Sequence, residues 1–168
     1  MEIIFETERL MVRKLNYSDI KKFYELESNI NVMQYTFGRI VNYTECKKDL
    51  KRLLDLYEKS DNDYWVYSII LKENNTFLGT VAHIKDKNND DEIGYKLLEI
   101  HWGNGYGTEI VKGLINYCRE KGMPKLIANV VNKNINSAKI VKNLGFQFIE
   151  DFVSDDLKLP EKKYELIL

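Results

Sequence analysis

The sequence predicts an α+β fold built on one mixed, mostly antiparallel sheet. Short runs rich in β-branched and aromatic residues recur along the chain, parted by polar turn clusters such as Glu73-Asn74-Asn75 and Lys87-Asn88-Asn89-Asp90-Asp91. One stretch of clear helical period, carrying Ile110, Val111, Leu114, Ile115 and Cys118, lies between two such runs. The run after it, Leu126–Val131, is apolar apart from Asn129, as suits a strand covered on both faces.

In chain order, Leu10–Leu15 reads as the first strand. Ser18 is placed to cap a helix with Ile20, Phe23 and Tyr24 on its apolar face. Thr44 is placed to cap a second, which carries Leu50, Leu53, Leu54 and Tyr57. Trp65–Leu71, Phe77–Ile84 and Glu92–Leu97 follow as strands two to four. The periodic helix stops at Gly122 and Pro124, because glycine tolerates the turn and proline cannot continue it. Strand five is Leu126–Val131, and a short helix around Ser137–Asn143 ends at Leu144-Gly145-Phe146. Strands near Phe146–Val153 and Lys163–Leu168 close the chain, making about seven strands and about four helices. The helix joining strand four to strand five makes that pair parallel, with a right-handed crossover.

Composition narrows the functional classes. At 168 residues the chain fits a single domain, residues 1–168, large enough to fold without a metal or disulfide staple. Its 25 Lys and Arg against 26 Asp and Glu leave no basic footprint for nucleic acid or an anionic membrane, and disfavour a polycationic partner. No apolar run is long enough to span a bilayer, and the first residues lack the layout of a signal peptide, so a cytoplasmic location is expected. Cys46 and Cys118 fit neither a disulfide framework nor a metal-ligand spacing, so no metal is expected.

The most informative stretch is the turn Trp102-Gly103-Asn104-Gly105-Tyr106-Gly107-Thr108 ahead of the periodic helix. Alternate glycines let the backbone approach a ligand and leave amide N–H groups unobstructed. The helix behind adds unpaired N–H groups and a dipole that favours an anion, so a phosphate or pyrophosphate is the natural guest. Glu109 would repel such a guest unless it points away. The G-x-G-x-G spacing is not the dinucleotide fingerprint, and no Gly-Lys-Ser/Thr follows as in a P-loop.

Four motifs in register resemble the GNAT acyltransferase superfamily. They are Thr7-Glu8-Arg9-Leu10 with Arg13, Glu92-Ile93-Gly94-Tyr95, the turn Trp102–Thr108, and Asn134-Ile135-Asn136-Ser137 leading to Leu144-Gly145-Phe146. The nearer likeness is to the branch of ribosomal-protein N-terminal acetyltransferases. The resemblance implies a GNAT-like fold and an acetyl-CoA site where strands four and five splay apart. The family's phosphate pattern, Gln/Arg-x-x-Gly-x-Gly/Ala, falls on Trp102, Gly105 and Gly107, so Trp102 departs from it. The amides of Gly103, Asn104, Gly105, Tyr106, Gly107 and Thr108 then hold the pyrophosphate. Leu97 and Leu98 pair by backbone with the pantetheine arm, and Asn134 contacts it.

Transfer to an amine needs that amine neutral. A lysine-type amine is neutral about once in 2,500 at pH 7, at a cost of roughly 4.6 kcal/mol, whereas an α-amino group costs only about 1–1.4 kcal/mol. Glu92, at a position where the family often has a base, is the candidate to take that proton through water. The tyrosine that many members carry seven residues after the asparagine falls here on Val141, which cannot donate a proton. Ser137 is the remaining hydroxyl for the leaving sulfur, with a helix cap as its plainer role.

Other polar residues read as structural or peripheral. His83 is packed in a strand, His101 merely precedes the turn, and Lys139 and Lys142 are solvated. Cys118 is core, and Cys46 flanks a helix start without a partner. Tyr35, Phe37 and Tyr43, with Arg39, are expected at the acceptor lip. The reading is an acetyl-CoA-dependent N-acyltransferase acting on a primary amine, a protein N-terminus or a small molecule, by direct attack and with a homodimer possible. The alternatives are a non-catalytic acyl-CoA-binding module of the same fold, and an enzyme using the turn for ATP or NAD.

Overall fold

A computed structural model describes residues 2–168. The strands are β1 (Ile3–Glu6), β2 (Leu10–Lys14), β3 (Tyr64–Leu71), β4 (Thr76–Lys85), β5 (Asp91–Leu97), β6 (Lys125–Val131), β7 (Gln147–Val153) and β8 (Pro160–Ile167). The helices are α1 (Ile20–Glu27), α2 (Ile30–Met33), α3 (Tyr43–Leu56), α4 (Tyr106–Glu120) and α5 (Ile135–Asn143). All eight strands join one sheet in the order β1-β2-β3-β4-β5-β6-β8-β7, with β5 and β6 parallel and the other pairs antiparallel. The α+β class, mixed sheet and parallel pair are as the sequence predicts.

One strand and one helix exceed the expectation. β1 is a four-residue edge strand, too short to display an alternation. It is held by pairing with β2 and by the stack of Phe5 on Tyr117 of α4, centroids 5.4 Å apart. α2 is a single turn, started by the Asn29 side chain accepting the Asn31 N–H, and a single turn has no period to read. The caps also shift by two residues. Asn16, not Ser18, opens the 3-10 turn before α1, and Asn42, not Thr44, opens α3. In each case an acid three residues on, Asp19 or Glu45, reaches back to the cap N–H and completes a capping box.

The sheet separates two cores. Leu10, Val12, Ile69, Leu78, Ile93 and Leu97 pack with Ile110, Val111, Leu114 and Ile115 of α4. On the opposite face Leu15 and Ile70 pack with Phe23 and Leu26 of α1 and with Leu50 and Leu53 of α3. Strand alternation fixes this division, since neighbouring residues point to opposite faces.

The sheet opens at one place. β6 is held to β8 along its whole length, from Lys125↔Ile167 to Val131↔Glu161, whereas β5 follows β4. β5 and β6 are in register only at Glu92↔Ile127, and beyond it they diverge. Gly79 of β4 lets this happen. A Cβ there would stand 1.9 Å from the carbonyl oxygen of Lys96, so only glycine allows the end of β5 to lie so close to β4.

Candidate active site

The gap between β5 and β6 is lined from both faces of the sheet. A cavity of about 480 Å³ runs along the glycine turn and α5. A second, of about 670 Å³, reaches past Glu92 and Asn129 to the hairpin between β7 and β8. Tyr35, Thr36, Tyr95, Asn134 and Ser137 line both, so the two meet in the gap.

The first cavity has a floor of backbone. Gly103 and Gly105 take φ of +78° and +79°, the left-handed region that other residues enter at a cost. Among the described residues, the N–H groups of residues 103–108 donate no hydrogen bond, and Glu109 is the first amide of α4 to find an acceptor, Gly105 O at 3.1 Å. The Asn104 side chain braces the turn by donating to His101 O and Trp102 O, each at 3.1 Å. Thr108 and Tyr106 line the same cavity.

Glu109 does not oppose an anion here, because it is turned aside and neutralised. Its carboxylate accepts from Thr7 Oγ1 at 2.5 Å, from the Arg9 N–H at 2.8 Å and from Arg9 Nε at 2.7 Å. Arg9 also donates to Asn104 O at 3.1 Å and lies over the Tyr106 ring. A cation thus stands beside the turn although position 102 carries tryptophan. Sequence reading noted Arg9 as part of a motif but missed its place, since 95 residues separate it from the turn it touches.

The strand-end residues divide. The Leu98 N–H is engaged by Leu78 O at 2.8 Å, so it is not free to pair with an incoming chain, which corrects the expectation for that residue. Alternation turns the Leu97 N–H the other way, toward β6. The Leu97 carbonyl accepts from Trp102 Nε1 at 2.9 Å, which gives the tryptophan a structural task. Asn134 caps α5 by accepting the Ser137 N–H at 3.2 Å while lining both cavities.

Ser137 therefore does not cap α5; Asn134 does. Its Oγ instead lies 3.2 Å from the Tyr95 hydroxyl, which crosses from β5 to α5. Val141 is buried core, as its side chain requires. A phenol thus reaches this point from another element, and the sequence motif Glu92–Tyr95 contained it without revealing where it points. Gly107 makes room for it: a Cβ there would be 3.1 Å from the Tyr95 hydroxyl oxygen.

Glu92 lies on the opposite face, beside Asn129. Burial pushes its carboxyl up to about 7; a hydrogen bond from Asn129 lowers it, and the nearby Asp86, Glu161 and Asp156 raise it further. That value suits proton transfer near neutral pH. The cysteines are excluded as nucleophiles, because burial pushes both thiols up to about 12. His83 is stacked against Trp65 and Tyr67, and burial lowers it to about 4. Of the expected lip, only Tyr35 lines the cavities. Phe37 packs with Arg39, Arg39 pairs with Glu45 at 3.1 Å, and Tyr43 meets Tyr24 edge-on. Lys139 and His101 both line the first cavity.

Comparison with known proteins agrees with this architecture. The family model described as acetyltransferase (GNAT) domain matches residues 9–147. An uncharacterized N-acetyltransferase p20 of Bacillus licheniformis is 30% identical over 151 residues, covering 88% of this chain and 83% of that protein. A GNAT-family acetyltransferase from Bacillus anthracis superposes with a TM-score of 0.83 at 19% identity, covering 99% of this chain and 98% of the other. RimL, a ribosomal L7/L12 alpha-N-protein acetyltransferase solved in complex with coenzyme A, gives a TM-score of 0.84 at 17% identity, covering 99% and 98%. At such identities the two solved structures show the fold.

Proposed function

Because the chain belongs to the GNAT acetyltransferase family, we propose that it moves an acetyl group from acetyl-CoA to a primary amine by direct attack in a ternary complex. The observation that carries this reading is the meeting of two cavities at Tyr95 and Ser137, one floored by free amides and the other holding a carboxyl with a pKa near 7.

The residues fit the donor. The N–H groups of residues 103–108, with the α4 dipole and Arg9, form an anion cradle for the pyrophosphate. The cradle supports pantetheine lying in the gap, where the Leu97 N–H faces the thioester oxygen and stabilises it as charge develops. Acetyl-CoA itself supplies the activated acyl carbon and a thiol leaving group.

The amine enters from the Glu92 face as an ammonium. Glu92 takes one proton through water, and the neutral nitrogen forms a bond to the carbonyl carbon. The carbon–sulfur bond breaks with its electron pair going to sulfur. Tyr95, with Ser137 as its hydrogen-bonding neighbour, donates a hydrogen bond to that sulfur and relays a proton to it. Glu92 passes that first proton on to solvent, and the second nitrogen proton, lost after the attack, returns through water to Tyr95 in place of the one given to sulfur, so the products are an amide, the free thiol and one proton. Ser137 assists here through Tyr95 as well as by its own hydroxyl.

Val141 favours a non-catalytic acyl-CoA-binding module, and Tyr95 weakens that alternative by bringing a hydroxyl to the gap. The deciding experiment follows free thiol released from acetyl-CoA with and without an amine. Amine-dependent release is expected. Tight acetyl-CoA binding with no release for any amine would point to the binding module instead.

A further inference from the structure

One polar residue of β6 has no task so far beyond its contact with Glu92. Asn129 alone interrupts the apolar run Leu126–Val131, and alternation places it with Ile127 on the face of the sheet that carries Glu92. Its carboxamide is half used. The Nδ2 side donates to Glu92 and lowers that carboxyl. The Oδ1 atom is buried and accepts no hydrogen bond from the described residues. Lys163 stands opposite Asn129 on β8 and lines the same cavity, yet it leaves this oxygen unengaged. A buried carbonyl without a donor is costly, so such an atom in a folded chain calls for an explanation. The cavity offers one, because Asn129 lines it together with Glu92, Tyr95 and Ser137.

Across the gap the space is kept clear. Asn129 lies two residues past Ile127 on β6, as Gly94 lies two past Glu92 on β5. Gly94 is exposed, lines the second cavity, and a Cβ there would meet nothing within 4 Å. Neither packing nor a positive φ calls for glycine at this place. Glycine weakens a strand interior, and it serves where another molecule must come close. The missing side chain leaves open the part of the cavity that Glu92 and Asn129 share.

We propose that Asn129 selects primary amines, its Oδ1 accepting one N–H of the reacting nitrogen in the slot beside Gly94. This rests on the acetyl-transfer reading above. After the ammonium gives one proton to Glu92 through water, the neutral nitrogen keeps two hydrogens and a lone pair. One hydrogen goes to Asn129 Oδ1 and the other to the relay water, so the lone pair is left for the acyl carbon. The hydrogen on the water departs after the attack, and the one on Asn129 stays in the amide. A secondary amine has a single hydrogen at that stage, and that one must leave. It therefore sets a carbon against the buried oxygen, and a site built to receive an N–H rejects it for that reason.

The test compares thiol release from acetyl-CoA for three isomers of one formula: butylamine, 2-aminobutane and N-methylpropylamine. A peptide beginning with alanine is set against its N-methylalanine counterpart. Rates are taken at about pH 9, where Glu92 is ionised whether or not Asn129 donates to it. kcat/KM for butylamine should exceed that for N-methylpropylamine about hundredfold, with 2-aminobutane, crowded but primary, within about tenfold of butylamine. Asn129→Leu keeps the size, removes both polar atoms, and should narrow the primary-to-secondary ratio about tenfold or more. If that variant fails to fold, Gly94→Val, whose side chain meets open space, provides the second reading. It should cut kcat/KM for every amine about tenfold or more, while acetyl-CoA affinity in calorimetry stays within about twofold. A secondary amine matching its primary isomer, or 2-aminobutane as poor as the secondary amine, would overturn the proposal and leave acetyl transfer standing. So would a ratio unchanged in Asn129→Leu or amine turnover unchanged in Gly94→Val. Thiol release with no acceptor of either kind would remove the acetyl-transfer reading and the proposal together, and calorimetry with acetyl-CoA alone would then report whether the donor half survives.

Discussion

The two halves of the β5–β6 gap solve opposite problems with different materials. The half that the proposed reaction gives to the donor is made largely of backbone: two left-handed glycines, six unengaged amides and the start of a long helix. The half that the proposed reaction gives to the amine is made of side chains from β5, β6, β8 and two hairpins, several of them carboxyls without an ion-pair partner. Backbone donors cannot lose their protons, so the amides of the turn do not change with pH. Carboxyls can gain them, so the acceptor half is tuned by pH. The proposed reaction therefore assigns donor affinity to the first half and rate to the second.

That division can be broken most sharply at Glu92. Glu92→Gln should lower kcat for an alkylamine by about 10²–10⁴, the usual range for a general base, while the dissociation constant for acetyl-CoA stays within about twofold. Wild-type kcat/KM should rise with pH through about 7, because the carboxylate must be ionised to accept a proton, and the variant should lose that limb. A flat wild-type profile would take Glu92 out of the chemistry.

The converse substitution lies in the turn. Gly105→Val, forced to a φ of +79° and carrying a branched side chain toward Arg9, should weaken acetyl-CoA by about 30- to 100-fold in a calorimetric titration. At saturating donor its kcat should fall far less. Equal losses in both would mean that the halves are not separable.

At the meeting point, Tyr95→Phe should lower kcat about tenfold, the size expected for one hydrogen bond to a developing charge. Ser137→Ala should cost less, and the double variant less than the product of the two, because the hydroxyls act as a pair. A smaller effect belongs to Arg9→Ala. It removes a cation from the turn and frees Glu109 to repel the pyrophosphate, so acetyl-CoA affinity should drop severalfold, and more at low salt than at high salt.

The smallest effect is on stability. Glu92 holds its proton to about 7 when folded, against 4.5 as its ordinary value. The stability this contributes is present below about 4.5 and is lost as pH rises through about 7. Glu92→Gln should therefore melt higher than wild type above pH 8, by about 1–2 kcal/mol in free energy after discounting for partial exposure.

These contrasts also explain what the sequence disclosed. The free amides of the turn were legible because alternate glycines stand ahead of a periodic helix, although a plain tight turn uses the same residues. The acceptor half was not, since Glu150, Ser154 and Glu161 look like ordinary polar positions on closing strands. Tyr95 stood in a recognised motif, yet its hydroxyl could not be paired with Ser137 until β5 and α5 were placed side by side. Likewise Leu98 lost its expected role because the pleat of β5, invisible in residue types, turns its amide to β4.

By itself, then, the chain determined its class, the order of its longer elements and the glycine turn ahead of α4, all of which depend on local backbone preference and apolar period. Tertiary structure decided which strand ends separate, which hydroxyl stands beside Ser137 where Val141 offers none, and where the negative charge gathers. The physical reason is range. Backbone conformation and helix dipoles are settled within a few residues, whereas the pKa of Glu92 and the charge around Glu161 are sums over groups that only the folded sheet brings together.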